Sequence, residues 1–133
     1  MATILILDEQ TDSCILLKRL LERNSHCVWA FVNRSEALEC AARTKLDLAL
    51  VSVPSRGAGG FAAATALKHV NTDLKVMIIG DYVSDESVEA MSADGFLVKP
   101  VDIATVEKKV QELLRHRPTD AGPDTEEEQT VAQ

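Results

Sequence analysis

The stretch LDLALVSVPSRGAGGF, Leu46 to Phe61, decides how the chain is interpreted. It begins with the run Leu48–Val53, which is apolar at every position except one, and then passes into residues rich in Ser, Gly and Ala. Such a run is typical of a strand that is buried on both faces of a parallel sheet. The exception is Ser52. The sequence therefore places a neutral hydroxyl where a buried strand meets a loop.

Short apolar runs alternate with segments of helical spacing along most of the chain. The predicted strands are Thr3–Leu7, Cys27–Val32, Leu48–Val53, Lys75–Ile79 and Phe96–Val98. The predicted helices are Asp12–Arg23, Ser35–Thr44, Phe61–Val70, Ser84–Ala93 and Ile103–His116. This alternation predicts an α/β three-layer fold around a parallel sheet. In such sheets the working site lies beyond the carboxyl ends of the strands, where the strand order reverses.

Composition and charge narrow the class of protein. The chain has 133 residues, of which 46% are hydrophobic and 26% charged, as in a soluble domain. Residues 1–117 are predicted to form that domain, and Pro118–Gln133, with five acids and no base, a disordered tail or linker. The net charge of −7 argues against nucleic acid as a partner, since nucleic-acid binding needs a basic face. A protein partner or a small ligand fits better.

Location is predicted from what the sequence lacks. No apolar run approaches the ~18 residues of a membrane span, and the first residues do not resemble a signal peptide. The three cysteines, Cys14, Cys27 and Cys40, form no CxxC pair and fall on three predicted elements. We interpret them as reduced, half-buried core thiols. These features predict a cytoplasmic protein without a membrane partner.

Charged side chains follow the first and last predicted strands. Asp8 and Glu9 come directly after the first strand, and Lys99-Pro100 follows the fifth. Two adjacent carboxylates suit Mg²⁺, which takes one or two of them and keeps several waters. The alternative for the acidic pair is an exposed loop with no ligand. Lys99, at the same sheet edge as Asp8, is placed to pair with its carboxylate or to hold a phosphate oxygen.

The acidic pair, the five strand–helix units and the terminal Lys-Pro, in this order, resemble the receiver domains of bacterial two-component response regulators. The matching segments are ILILDEQ, DLALVSV and DGFLVKPVD. The resemblance covers Thr3 to about Arg117. It implies a flavodoxin-like sheet of five parallel strands in the order 2-1-3-4-5, and a signalling module rather than an enzyme.

The same resemblance implies roles for individual residues. Asp8 and Glu9 take the positions that bind Mg²⁺, and Lys99 takes that of the lysine that contacts the phosphoryl group. Phe96 takes the position of the aromatic residue that reports the switch. The usual contact surface of the family corresponds to roughly Ser84–Leu114, which a histidine kinase or effector would meet.

Two positions depart from the family pattern. Ser52 stands where receivers carry the aspartate that accepts the phosphoryl group, and Gly80 stands where they carry a Thr or Ser. A serine hydroxyl is a weak nucleophile without an adjacent base, and the replacement also removes an anionic metal ligand. Gly80 removes the hydroxyl that would grip a transferred phosphoryl. Both departures predict that this pocket is not a phosphoryl acceptor and that Mg²⁺ binds weakly or not at all.

These departures favour a pseudo-receiver that signals by protein contact without aspartate phosphorylation. The alternative is a working phosphorelay receiver in which another acid, such as Asp81, is the acceptor; Asp81 could equally cap the turn that follows Gly80. For Ser52 itself, an inert structural role is favoured over phosphorylation by a Ser/Thr kinase. A hydrolase role is disfavoured because the G-x-S-x-G motif is absent. A flavin site is also disfavoured, since no Ser/Thr-rich loop follows the first strand.

Overall fold

The chain folds into a parallel sheet flanked by helices, as the alternating pattern predicts. The computed structural model describes residues 2–52, 59–80, 93–99 and 101–115. Its strands are β1 (Thr3–Asp8), β2 (Cys27–Phe31), β3 (Leu48–Ser52), β4 (Lys75–Gly80) and β5 (Gly95–Val98). The helices in the described residues are α1 (Thr11–Arg23), α2 (Arg34–Arg43), α3 (Gly59–Val70) and the C-terminal helix α4 (Ile103–Arg115).

The five strands are parallel and lie in the order β2-β1-β3-β4-β5. The predicted fold class and strand order are therefore confirmed. The chain leaves β1 for one edge of the sheet and returns at β3 on the other side of β1. This reversal makes the β1–β3 boundary the switch point at which ligand sites form in open α/β sheets. In the register of this boundary, Asp8 lies opposite Ser52.

The sheet separates two hydrophobic clusters. Alternate residues of β1 point to opposite faces, so that Leu5 and Leu7 join the cluster under α2 and α3, while Ile4 and Ile6 join the cluster under α1 and α4. Helices on both faces explain why β1, β3 and β4 are apolar along their whole length. Burying these side chains is the main source of stability of the domain.

The edge strand β2 departs from this pattern. Cys27 and Trp29 are exposed in this strand, which lies at the edge of the sheet formed by the described residues. The expectation of three half-buried thiols is therefore right for Cys40, which is half-buried, but not for Cys14, which is fully buried, or for Cys27. Burial and the charge of Asp8 raise the pKa of the Cys14 thiol.

Local hydrogen bonds set the helix ends. Asn33 accepts the backbone N–H of Glu36 at 3.1 Å and caps α2. Asp102 accepts the backbone N–H of Thr105 at 2.7 Å and caps α4. Hydrogen bonds from Thr105, the side chain first and then the backbone, lower the pKa of Asp102.

The element boundaries lie within two residues of the predicted ones. The predicted helix Ser84–Ala93, apart from Ala93, and the predicted tail Pro118–Gln133 lie outside the described residues. Among the helices that the structure describes, none is long and apolar enough to cross a membrane.

Candidate functional site

Asp8 is the buried acid at the carboxyl end of β1. Its side chain is only 2% exposed, and its Oδ1 accepts the backbone N–H of Gln10 at 2.9 Å. The other oxygen, Oδ2, is buried and has no hydrogen-bond partner among the residues that the structure describes. An unpaired buried acceptor is unfavourable, because it has lost its water without gaining a donor. Asp8 therefore presents an unsatisfied carboxylate oxygen that a cation or a donor would stabilise. The next residue, Glu9, is exposed.

Ser52 ends β3 directly opposite Asp8. It is 7% exposed and, with Asp8, is one of the two buried polar side chains among the described residues. The β1–β3 pairing brings the two residues together because Asp8 and Ser52 are the last partners in the register. At this point the neighbour of the Asp8 carboxylate is thus a neutral hydroxyl.

Gly80 and Lys99 lie next to each other on the side of Ser52 that faces away from Asp8. Gly80 is buried at the end of β4, and its carbonyl accepts the backbone N–H of Lys99 at 2.7 Å. This bond continues the β4–β5 pairing by one residue. Ser52 and Lys99 both line a cavity of about 550 Å³ at this edge of the sheet. Asp81, which follows Gly80, and the residues after Ser52 in the quoted stretch, 53–58, lie outside the described residues.

Phe96 lies in β5 on the sheet face covered by α2 and α3. It is half-buried and packs against the cluster that contains Leu5 and Leu7. Its neighbour Leu97 packs on the opposite face, against the cluster under α1 and α4. Phe96 is therefore separated by the sheet from the core beneath α4.

The donor set at this edge decides how a metal could be held. No group of three or more His, Cys, Asp or Glu side chains suited to a metal occurs within residues 2–52, 59–80, 93–99 and 101–115. Asp8 offers one unpaired carboxylate oxygen and Glu9 a second, exposed carboxylate. One or two carboxylates with several waters are enough for Mg²⁺. The residues present thus fit a hydrated Mg²⁺ ion that has few protein ligands.

One feature of this edge was not predicted from the sequence. Ile15 and Leu16 are 43% and 59% exposed, because they lie off the stripe of α1 that packs on the sheet. Leu16 lines the same cavity as Ser52 and Lys99. The sequence does contain a sign of this feature, since two large apolar residues stand beside the residues of helical spacing Cys14, Leu17, Leu20 and Leu21.

Comparison with known proteins agrees with this arrangement. The family model for the response regulator receiver domain matches residues 4–111. The chain belongs to this family. Receiver domains are generally non-enzymatic signalling domains of two-component systems. They interact with histidine kinases and effector domains and bind Mg²⁺ at the phosphorylation site.

Curated relatives of this receiver domain are longer proteins. The transcriptional regulatory protein PrrA of Mycobacterium leprae is 29% identical over 132 residues, which are 97% of this chain and 55% of that protein. The transcriptional regulatory protein ZraR of Klebsiella oxytoca is 29% identical over 126 residues, which are 92% of this chain and 28% of that protein. The chain therefore spans about half, or less, of the length of these relatives.

Solved structures show the same fold. The chemotaxis protein CheY4 of Vibrio cholerae superposes with a TM-score of 0.76 at 23% identity, covering 85% of this chain and 98% of that one. The response regulator TrrA of Thermotoga maritima, in complex with Mg²⁺ and BeF, gives a TM-score of 0.73 at 27% identity, covering 85% of this chain and 99% of that one.

Proposed function

We propose that this chain is an atypical receiver that signals through protein contacts without phosphorylation of an aspartate. The observation that carries the proposal is Ser52, which ends β3 opposite the buried Asp8. A carboxylate at this position would be an anion ready to attack phosphorus. A hydroxyl must first lose its proton to a base.

The position of Gly80 supports the same conclusion. It ends β4 beside Lys99 and carries no side chain that could hold a transferred phosphoryl group. A phosphoryl group on Ser52 would therefore lack the hydroxyl through which receivers couple the reaction to a movement of the fold. Ser52 and Gly80 lie at the carboxyl ends of neighbouring strands, and each change is sufficient to weaken phosphotransfer. Together they favour the loss of phosphoryl transfer over its retention in a modified form.

Weak Mg²⁺ binding is part of this proposal. Asp8 and Glu9 would hold the ion, which would supply positive charge at the sheet edge when bound. The unpaired Oδ2 of Asp8 supports such a role. Compared with a receiver that has an aspartate at the end of β3, the site has one anionic ligand fewer, so that we expect weaker binding.

The partner surface is proposed to be the Ser84–Leu114 face, in a cytoplasmic protein that meets a histidine kinase or an effector. Within the described part of this face, Val98 and Ile103 are 53% and 46% exposed. Large apolar side chains that remain exposed to water are found at many protein-binding surfaces. The switch role of Phe96 would be lost together with phosphorylation.

Treatment with acetyl phosphate and Mg²⁺, followed by intact-mass spectrometry, tests the proposal. The expected result is an unmodified protein, whereas a receiver with an intact acceptor, run in parallel, is labelled. A stoichiometric label that hydroxylamine removes would be an acyl phosphate and would contradict the proposal. Loss of that label in Asp81→Asn would then identify Asp81 as the acceptor.

A further inference from the structure

The edge strand β2 lacks the features that usually protect the edge of a sheet. Within the described residues it has a strand on one side only. Edge strands are commonly protected by charged side chains, Pro, bulges or short length, because their outward backbone groups otherwise pair with another strand. The opposite edge strand, β5, has four residues and is followed by Lys99-Pro100. β2 has five residues, and residues 27–32 contain neither a charge nor Pro. β2 is therefore better suited than β5 to strand addition.

The hydrogen bonding between β1 and β2 fixes which backbone groups face this edge. The N–H of Cys27 donates to the Ala2 carbonyl at 2.9 Å. Backbone groups of successive residues alternate between the two sides of a strand. The backbone of Trp29 thus also faces β1, whereas the N–H and C=O groups of Val28 and Ala30 face outward. The edge presents two residues with the spacing that antiparallel pairing requires.

A groove lies beside this edge, between β2 and α2. Its volume is about 400 Å³, and its lining includes Trp29 and Phe31 of the strand and Glu36, Glu39 and Arg43 of the helix. Trp29 is 45% exposed, although aromatic side chains contribute most to an interface when they are covered. The two acids and the arginine are exposed. The groove therefore has an aromatic side chain in the strand and opposite charges toward the two ends of the helix.

This arrangement is self-complementary about a two-fold axis. With Trp29 opposite Trp29 of a second copy, Val28 of each chain lies opposite Ala30 of the other and the two can exchange both hydrogen bonds. β2 and α2, of five and ten residues, each span about 13 Å, so that the middle of α2 lies level with Trp29. The same axis therefore brings Glu36 of each copy toward Arg43 of the other.

We propose that two copies of this chain associate through β2, in antiparallel pairing centred on Trp29, to form a continuous sheet of ten strands. An extended peptide could use the same backbone groups, but the opposite charges at the two ends of the groove complement a second copy. The inference does not depend on the proposed function. Because β2 and β5 lie at opposite edges of the sheet, the dimer would present the proposed partner face of both copies.

Sedimentation equilibrium on the full chain measures the association, and amide NMR shifts locate it. We expect a concentration-dependent dimer, with downfield amide shifts at Val28 and Ala30 as it forms and none at Phe96 in the opposite edge strand. The emission of Trp29, the one tryptophan of the chain, should move to shorter wavelength over the same range. A protein that stays monomeric at about 1 mM would overturn the inference. So would a dimer whose amide shifts lie in β5 and α4 instead of β2.

A proline variant tests the backbone pairing. Ala30→Pro removes an outward N–H and retains the N–H groups that bond to β1, so that it should fold and remain monomeric. Ala30→Val keeps the N–H and is the matched control, which should still dimerise. Circular dichroism checks that both variants are folded. A folded Ala30→Pro variant that dimerises as the wild type does would contradict the proposed pairing.

Charge variants test the two-fold arrangement, and they decide alone if Ala30→Pro does not fold. Arg43→Glu places like charges together at both ends of the interface and should weaken the dimer about tenfold. Adding Glu36→Arg to that variant should restore it. Arg34→Glu, at an exposed position of α2 outside the groove lining, should have little effect. Equal affinity in the wild type and Arg43→Glu would overturn the arrangement. None of these outcomes bears on acetyl phosphate labelling, so that the two proposals fail separately.

Discussion

At the scale of single residues, the site is defined by the chemistry of one pair. Asp8 and Ser52 are both buried and lie opposite each other in the register of β1 and β3. Both are visible in the sequence as polar residues at the ends of apolar runs. The unpaired Oδ2 of Asp8 is not visible there, because it depends on how deeply the loop after β1 covers the carboxylate.

A second residue-scale feature lies at the end of α1. Ser25 has a φ of 69°, in the left-handed region. It donates its N–H to the Glu22 carbonyl, and His26 donates to that of Leu21, which is the pattern of a Schellman motif. Glycine normally occupies such a position because it has no Cβ to clash. The sequence gives no sign of this conformation, since a serine stands there.

We predict that Ser25→Gly stabilises the protein. Relief of the left-handed strain outweighs the greater backbone freedom of glycine in the unfolded chain, for a net gain of about 0.5–1 kcal/mol. Urea unfolding followed by circular dichroism measures the change. The matched control is Ser35→Gly, in the first turn of α2, which should lower the free energy of unfolding. A loss of stability in Ser25→Gly would contradict the assignment of the turn.

At the scale of elements, continuous apolar runs made the central strands predictable. β1 and β3 are covered on both faces, so that their sequences carry the signal without the tertiary structure. The exposure of β2 follows from its place at the edge of the sheet, which the strand sequence alone does not reveal. The cavity beside Ser52 could not be predicted, because it depends on how α1 and α4 are placed relative to each other.

The contact between β5 and α4 depends on Gly95. A Cβ at this position would lie 3.0 Å from Leu113 Cδ1 and 3.1 Å from Lys109 Cε. Gly95→Ala is therefore predicted to destabilise the protein by about 1–3 kcal/mol, the usual penalty for overpacking. Chemical unfolding measures the loss.

A double-mutant cycle tests the cause. Leu113→Ala removes the clashing methyl group, so that Gly95→Ala should be less harmful in that background than in the wild type. A control cycle pairs Gly95→Ala with Val70→Ala, an exposed residue of α3, and should show additive effects. Additive effects in the Leu113 cycle would show that the clash is relieved in some other way.

At the scale of the whole molecule, a histidine at the amino end of the sheet makes the free energy of unfolding depend on pH. His26 Nδ1 accepts the backbone N–H of Ala2 at 3.1 Å, which requires that nitrogen to be unprotonated. Burial is the largest cause that lowers the pKa of His26 below its usual 6.5, and Asp47 opposes it. In this window the unfolded chain binds protons more readily than the folded protein.

We therefore predict that the contribution of His26 to stability is complete above about pH 6.5 and is lost as the pH falls through the lower pKa of the folded state. Urea unfolding between about pH 7.5 and 5 should show a smaller decline for His26→Gln than for the wild type, since glutamine accepts the same hydrogen bond without titrating. His69→Gln, at an exposed position of α3, is the control and should follow the wild type. Identical slopes for the wild type and His26→Gln would contradict the prediction.

The proposed function depends on Ser52 standing in place of an acceptor carboxylate at the end of β3. The most direct measurement is ¹⁹F NMR with Mg²⁺ and beryllium fluoride, which binds to an acceptor carboxylate as an analogue of the phosphoryl group. We predict no protein-bound fluoride resonances for the wild type, and their appearance in Ser52→Asp, where a carboxylate returns opposite Asp8. Bound resonances in the wild type that persist at stoichiometric beryllium would contradict the account.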